Sequence, residues 1–111
     1  MDDVLNAYIY ELKKGTKPMA LITVSSSLRE KYCEKIRKNN LACCIQNIGC
    51  KDNIFFGSKE CIDIISLFLR KKLSKLTPEQ DFILGIMLGY NRIEQCKRYL
   101  NKLNYTLSTN S

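Results

Sequence analysis

The 111-residue sequence predicts an α+β fold: a small β-α-β-β-α core with a three-stranded mixed sheet, an N-terminal helix or strand, and a C-terminal helical hairpin. One domain is expected over 1–105, with a disordered tail over 106–111. Three observations predict this. Two short apolar runs, Met19–Val24 and Leu41–Ile48, flank a stretch of helical periodicity, the pattern of a strand–helix–strand crossover. Gly49-Cys50-Lys51-Asp52 separates the second run from a third, Asn53–Phe56, at hairpin spacing. Leu76 to Leu103 then carries two helix starts around one glycine stop.

The elements follow in order. Val4, Leu5, Tyr8, Ile9 and Leu12 form a helical stripe ending at Gly15, although Tyr8, Tyr10 and Leu12 also alternate as in a strand. Met19–Val24 is continuous and apolar, as in a strand covered on both faces. Ser25-Ser26-Ser27 opens a helix with Ser27 and Glu30 as a capping box, Leu28, Tyr32, Cys33 and Ile36 on its inner face, and Asn39-Asn40 at its end. The first two strands, joined by this helix, should run parallel, and the second and third should form an antiparallel hairpin. Gly57-Ser58 starts a helix reaching about Leu73, with Cys61, Ile62, Ile64, Ile65, Phe68 and Leu69 marking buried faces. In Thr77-Pro78-Glu79-Gln80 the threonine caps, the proline lacks an N–H that would be orphaned anyway, and Gln80 closes a capping box. Phe82, Ile83, Ile86, Met87 and Tyr90 give that helix its stripe, with Gly89 as the stop. Asn91 and Glu94 restart a helix whose stripe is Ile93, Cys96, Tyr99, Leu100 and Leu103.

Net charge is +7, spread over short clusters: Lys13, Lys14 and Lys17; Lys35, Arg37 and Lys38; Arg70, Lys71, Lys72 and Lys75; Lys97, Arg98 and Lys102. Such a surface favours encounter with acidic partners. No apolar run reaches the ~18 residues that span a bilayer, and the acidic start Met1-Asp2-Asp3 is unlike a secretory leader, so a cytoplasmic protein with no membrane association is expected. The six cysteines are then read as thiols.

The sequence has no histidine, which removes the usual general base and the Cys–His and Ser–His–Asp arrangements. No two cysteines form a C-x-x-C pair, so no metal site is expected and no cofactor is assigned. Cys43 and Cys44 on one strand would face opposite sides, while Cys61 and Cys96 read as small buried hydrophobes. Two strand-to-helix turns, Ser25-Ser26-Ser27 and Gly57-Ser58, could hold an anion at a helix N-terminus. Ordinary capping is the simpler reading of both, and an antiparallel third strand would place them at opposite ends of the sheet. Gly85 and Gly89 resemble the small residue and turn glycine of a helix-turn-helix. The positions that should then be buried fall on Gln95 and Arg98, which favours a plain αα-hairpin, with Gly85 and Gly89 allowing close approach of a neighbouring helix.

Three segments together resemble a bacterial family of small proteins catalogued as a domain of unknown function, number twenty twenty-three. They are Tyr10-Glu11-Leu12-Lys13-Lys14-Gly15, Asn53-Ile54-Phe55-Phe56-Gly57-Ser58-Lys59-Glu60-Cys61-Ile62, and Leu76-Thr77-Pro78-Glu79-Gln80-Asp81-Phe82-Ile83-Leu84-Gly85-Ile86-Met87-Leu88-Gly89-Tyr90-Asn91-Arg92, continuing through Gln95-Cys96 to Arg98-Tyr99. Phe56, Gly57, Glu60, Cys61, Asp81, Gly85, Gly89, Tyr90, Arg92 and Cys96 carry the motif. The resemblance implies an α+β fold without an established activity. It also implies a tie to flavodoxin, because some members lie beside flavodoxin genes. The family's early segment often has histidines before the Tyr-Glu pair and an arginine after the glycine, where this chain has Asn6, Ala7 and Lys17.

The reading leans away from an enzyme. A cytoplasmic accessory protein is expected, homo-oligomeric, binding an acidic protein such as flavodoxin through Arg70, Lys71, Lys72 and Lys75. The alternative is a nucleic-acid-binding regulator using the basic hairpin. A small Cys- or Lys-dependent enzyme comes last, for want of histidine or a nucleophile motif.

Overall fold

The computed structural model describes the backbone of residues 2–110 and the side chains of residues 3–104. Its elements are α1 (Asp2–Lys14), β1 (Met19–Ser25), α2 (Arg29–Lys38), β2 (Ala42–Ile48), β3 (Lys51–Gly57), α3 (Lys59–Phe68), α4 (Pro78–Met87) and α5 (Arg92–Asn110). Short 3-10 turns sit at Ser26–Leu28 and Leu73–Lys75. The α+β class and the β-α-β-β-α core stand as read. The N-terminal segment resolves as a helix, ended by Gly15 at φ +84°, whose N–H bonds the Glu11 and Leu12 carbonyls.

The sheet order is β1-β3-β2, and both pairings are antiparallel. The expected mixed sheet is thereby corrected. β1 and β2 do run in the same direction, but β3 lies between them, so no parallel pair forms. The hairpin joins Ile48 to Lys51 directly, which narrows the turn to Gly49-Cys50 and lengthens β3 at its start. Gly49 takes φ +83°, the conformation such a tight turn asks of one residue.

Because side chains alternate along a strand, the sheet feeds two cores. On one face Ala20, Val24, Ile54 and Phe56 meet Leu5 and Ile9 of α1 and Tyr32, Cys33 and Ile36 of α2. On the other, Met19 and Phe55 meet Ile62 and Ile65 of α3, Leu84 of α4 and Leu88 at its C-terminal cap. Cys43 joins the first cluster and Cys44 the second, on opposite faces as expected. The layers are therefore α1/α2, sheet and α3/α4, and α5 packs chiefly on α4.

Several local expectations change. The Ser27–Glu30 capping box does not form: β1 runs straight into a 3-10 turn, Leu28 becomes the residue before α2 and carries no side-chain cap, and Glu30 sits beside Arg29 at 3.4 Å. Asn40, at φ +61°, closes α2 through its N–H to Arg37. α3 stops at Phe68 rather than near Leu73, and Ile64 on its outer side is exposed. α5 continues to Asn110, so the backbone of 106–110 belongs to this helix; the side chains there, and Ser111, lie outside the described residues.

Candidate interaction surface

The C-terminal hairpin begins with the capping box read from the sequence. The Gln80 N–H donates to Thr77 Oγ1 and the Thr77 N–H donates to Gln80 Oε1, both at 3.1 Å, with Pro78 at the first helical position. Gly89 ends α4 at φ +77°, and the Tyr90 N–H returns to the Gly85 carbonyl at 3.2 Å. Asn91 caps α5 by accepting the Glu94 N–H at 3.0 Å. Lys17 lies under the turn, its Cβ 3.0 Å from where a side chain on Gly89 would start. The Lys17 ammonium is 3.3 Å from Glu11 and 4.2 Å from the Tyr8 ring centroid, which ties the turn to α1. Gly85 and Gly89 thus admit two different neighbours.

α5 lies on α4 through polar groups. The Gln95 side chain enters the gap left by Gly85. Arg98 donates twice to Asp81, at 2.8 and 3.1 Å, and Lys102 approaches the same carboxylate at 3.2 Å. The Arg98 hydrogen bond, with help from Lys102, holds the Asp81 carboxyl below its ordinary range, and Asp81 raises Arg98 in turn. The Tyr99 hydroxyl donates to Glu79 at 3.1 Å, which raises its pKa, and its ring meets Phe82 at 5.2 Å.

This arrangement corrects both predicted stripes. The residues of α4 that bury are Leu84, Gly85 and Leu88, while Ile83 and Tyr90 are exposed and Met87 is half-buried. On α5 Ile93 is 64% and Leu100 55% exposed, and Cys96 is exposed too; Tyr99 and Leu103 are half-buried. The helical spacing was real, but within the chain α4 turns a second apolar edge to the core and α5 turns its polar edge to α4. Phe82 and Tyr99 pack ring to ring between the helices, and Ile83, Tyr90, Ile93 and Leu100 leave apolar surface exposed on the hairpin. Gln95 and Arg98, the positions a helix-turn-helix would bury, do face α4.

The second surface is the loop between α3 and α4. Arg70, Lys71, Lys72 and Lys75 are all exposed and sit on this loop rather than closing a helix. None of the four makes an ion pair among the described residues. A polar row crossing the sheet holds the loop: Thr23 Oγ1 donates to Asn53 Oδ1 at 2.7 Å, Asn53 Nδ2 to Gln46 Oε1 at 3.3 Å, and Gln46 Nε2 to the Lys71 carbonyl at 3.2 Å. The sequence reading missed this row. Its signal was a polar residue on each strand, Thr23, Gln46 and Asn53. A cleft of about 440 Å³ lies between loop and hairpin, floored by Leu21, Leu73 and Leu84 and edged by Tyr90, Gln95 and Arg98.

The remaining motif residues divide between buried and exposed positions. Phe56 is fully buried and meets the Tyr8 ring edge-on at 6.4 Å. Ser58 accepts the Cys61 N–H at 3.4 Å and so caps α3, and its own N–H donates to the Pro18 carbonyl. Glu60 is exposed in the first turn of α3, and Arg92 is exposed at the start of α5. Cys61 is half-buried, whereas Cys96, read as a buried hydrophobe, lies in the open. Burial, and then the neighbouring Cys43 thiol, pushes Cys33 and Cys44 up to about 11, so both stay protonated and weakly nucleophilic at neutral pH. Asp52 is fully buried, accepts from Asn47 at 2.9 Å and faces Arg29 at 3.7 Å. Among the described residues no three Cys, Asp or Glu side chains cluster as a metal site, and no helix is long and apolar enough to cross a membrane.

Residues 3–102 match the sequence model of a family described as "Protein of unknown function (DUF2023)". No curated protein matches the chain.

Proposed function

The chain belongs to the DUF2023 family, and from its surfaces we propose that it is a non-enzymatic accessory protein of the cytoplasm, homo-oligomeric, that takes up an acidic protein on the loop carrying Arg70, Lys71, Lys72 and Lys75. The observation that carries this reading is the contrast between two sets of cations. Three of the four in the hairpin are engaged within the chain, Lys97 with Glu94 and Arg98 and Lys102 with Asp81, and only Arg92 has no ion pair among the described residues. Those of the loop are exposed and without an ion pair among the described residues. Four cations within six residues, uninterrupted by a carboxylate, steer an acidic partner at long range. Flavodoxin is the acidic protein to which the family resemblance points.

A second reading is a nucleic-acid-binding regulator. The packing of Gln95 against Gly85 favours it, because a helix-turn-helix seats its second helix in this manner. The outward face of α5, however, presents Ile93, Cys96 and Leu100, which offer base edges few hydrogen bonds.

One titration decides between them. Flavodoxin from the same organism and a duplex DNA are each titrated against the full chain in one low-salt buffer. The accessory reading expects flavodoxin binding that weakens with salt, and only weak, sequence-independent DNA binding. Reversing Arg70, Lys71, Lys72 and Lys75 to Glu should slow association more than it speeds dissociation, because rim charges act mainly on encounter. Tight, sequence-selective DNA binding without flavodoxin contact would establish the regulator instead. Binding to neither would leave the cations as a solvated surface.

A further inference from the structure

We infer that the open edge of β2 takes up an extended acidic segment of the partner protein as a fourth strand of the sheet. This rests on the acidic-partner reading proposed above and names the part of that partner that is gripped.

Backbone chemistry is the first argument. The order β1-β3-β2 leaves β2 with a single strand neighbour. Bonds just beyond the strand ends fix which of its groups point away from that neighbour. The Ser26 N–H donates to the Cys50 carbonyl at 3.0 Å, and the Ser58 N–H to the Pro18 carbonyl at 3.3 Å. β3 therefore bonds to β1 through Asp52, Ile54 and Phe56, and to β2 through the residues opposite Cys44, Gln46 and Ile48. Cys43, Ile45 and Asn47 are left turning an N–H and a C=O outward. No backbone bond among the described residues closes these groups. Another extended strand is what such a row accepts.

The sequence of the edge is the second argument. Edge strands are ordinarily guarded against pairing by lysine, proline or a bulge. Ala42–Ile48 carries no charge and no proline, and its register with β3 runs unbroken. Ile45 and Ile48 stand exposed on it. The opposite edge is less open: Met19 and Ala20 of β1 are buried, and Leu21 lies in the cleft between the basic loop and the hairpin.

Charge is the third argument, and it selects the occupant. Gln46 holds the Lys71 carbonyl at 3.2 Å, and Lys72 lines a hollow with Gln46, Asn47 and Ile48. The cations of the loop thus stand beside the second half of β2, on one face of the sheet. On the other face α2 packs on β2, and its last turn holds Arg37, exposed and without an ion pair among the described residues. Of the carboxylates on the flanking helices, Glu34 is taken by Lys38 and Asp63 by Lys59. Glu60 lies in the first turn of α3, at the far end of that helix from the loop. An uncharged edge with cations on both faces favours a strand whose side chains, alternating to both faces, are acidic. A second copy of this chain would bring its own Arg70, Lys71 and Lys72 to the same edge and be repelled.

The test is a low-salt titration of the full chain with the peptide acetyl-Glu-Glu-Val-Glu-Glu-Val-Glu-amide, read by amide hydrogen exchange. Saturating peptide should slow exchange at the amides of Cys43, Ile45 and Asn47 at least tenfold. Cys44 and Gln46, already bonded to β3, should change little. The same peptide N-methylated throughout keeps its charge and loses its strand donors, and should bind at least tenfold more weakly by fluorescence anisotropy. Protection at the three edge amides together with that loss supports the pairing. It is overturned by absent binding, by equal binding of the N-methylated peptide, or by equal binding of a peptide with lysine in place of glutamate. Protection at β1 instead overturns it too, as does edge protection that rises with chain concentration without peptide, which assigns the edge to a second copy. The two ideas fail separately. Binding that leaves the edge amides unprotected sinks the fourth strand and spares the loop reading. Edge protection that survives reversal of Arg70, Lys71, Lys72 and Lys75 to Glu sinks only the loop reading.

Discussion

Gln95 fills the space that a β-carbon on Gly85 would occupy: its Cδ would stand 2.7 Å from that atom, and its Oε1 closer still. The contact seats a polar side chain of α5 directly against the backbone of α4. Gly85→Ala gains about 1 kcal/mol of helix propensity and loses it again to the clash. With Gln95→Ala in place the clash is gone. A double-mutant cycle by urea unfolding should therefore show a coupling of about 1 kcal/mol or more, with the double variant more stable than the two single effects add up to. Additive effects would mean that the two residues do not interlock.

Gly57 and its neighbour separate two kinds of cost. Gly57 ends the central strand, where a β-carbon would run into the Pro18 carbonyl and lie 2.9 Å from Met19 Cα, both backbone atoms of the chain leading into β1. Backbone held by a sheet cannot give way as a side chain can. Gly57→Ala should cost more than the ~1–3 kcal/mol usual for overpacking, whereas Ser58→Ala loses only the α3 cap, ~1 kcal/mol. Equal melting temperatures for the two variants would contradict this.

Asp81 makes the hairpin acid-sensitive. Its hydrogen bond from Arg98, with Lys102 beside it, lowers its pKa in the folded chain from the ordinary 3.8. A depressed carboxylate contributes stability that is fully present above the unfolded value and is lost as pH falls through the folded one. The melting-temperature gap between wild type and Asp81→Asn should be constant from pH 7 to about 5 and should close as the pH drops below about 4. A gap unchanged down to pH 2 would show that Asp81 does not act through its charge.

Gln46 is the last link between the sheet and the basic loop. Removing it frees the Lys71 carbonyl and the end of the polar row from Thr23 through Asn53. Gln46→Ala should speed hydrogen exchange at the Lys75 amide, which is bonded to the Lys72 carbonyl at 2.9 Å. The expected change is roughly fivefold, the equivalent of one ~1 kcal/mol hydrogen bond. Exchange at Ile62 in α3 serves as the internal reference, and equal acceleration at both sites would mean global destabilisation instead.

What could be read from the sequence was what is decided over short distances. Thr77, Pro78 and Gln80 form their cap as read because every atom involved lies within one helical turn. Asn91 and Glu94 do the same. Strand order was not local: nothing in Met19–Val24 or Leu41–Ile48 says that β3 will come between them. The stripes of α4 and α5 were found at the right spacing but only partly bury: Met87 packs on the core beside Leu84 and Leu88, and Tyr99 and Leu103 are half-buried, while Ile83, Tyr90, Ile93 and Leu100 stay exposed, because only the tertiary fold selects which apolar edge faces inward. The row from Thr23 to Lys71 is built of bonds between residues up to 30 positions apart, and nothing local to Thr23, Gln46 or Asn53 marks them as partners. The basic loop was found as a cluster of cations, but its seat on the sheet follows from the register of three strands.

The middle position of β3 also orders the birth of the sheet. β1 leaves the ribosome more than twenty residues before the first residue of its only strand neighbour, Lys51. β2 is equally without a mate until the chain has turned at Gly49 and Cys50. The two-residue turn lets β2 and β3 zip locally and fast, and that finished ribbon is then the template on which β1 closes a much longer loop. Until residue 57 has emerged, Met19–Val24 is a bare apolar strand with two open edges, the kind of segment that other nascent chains capture. A chain released before Gly57 therefore leaves β1 unpaired, whereas one released just after it has all three strands paired and leaves bare only the face that α3 and α4 would cover.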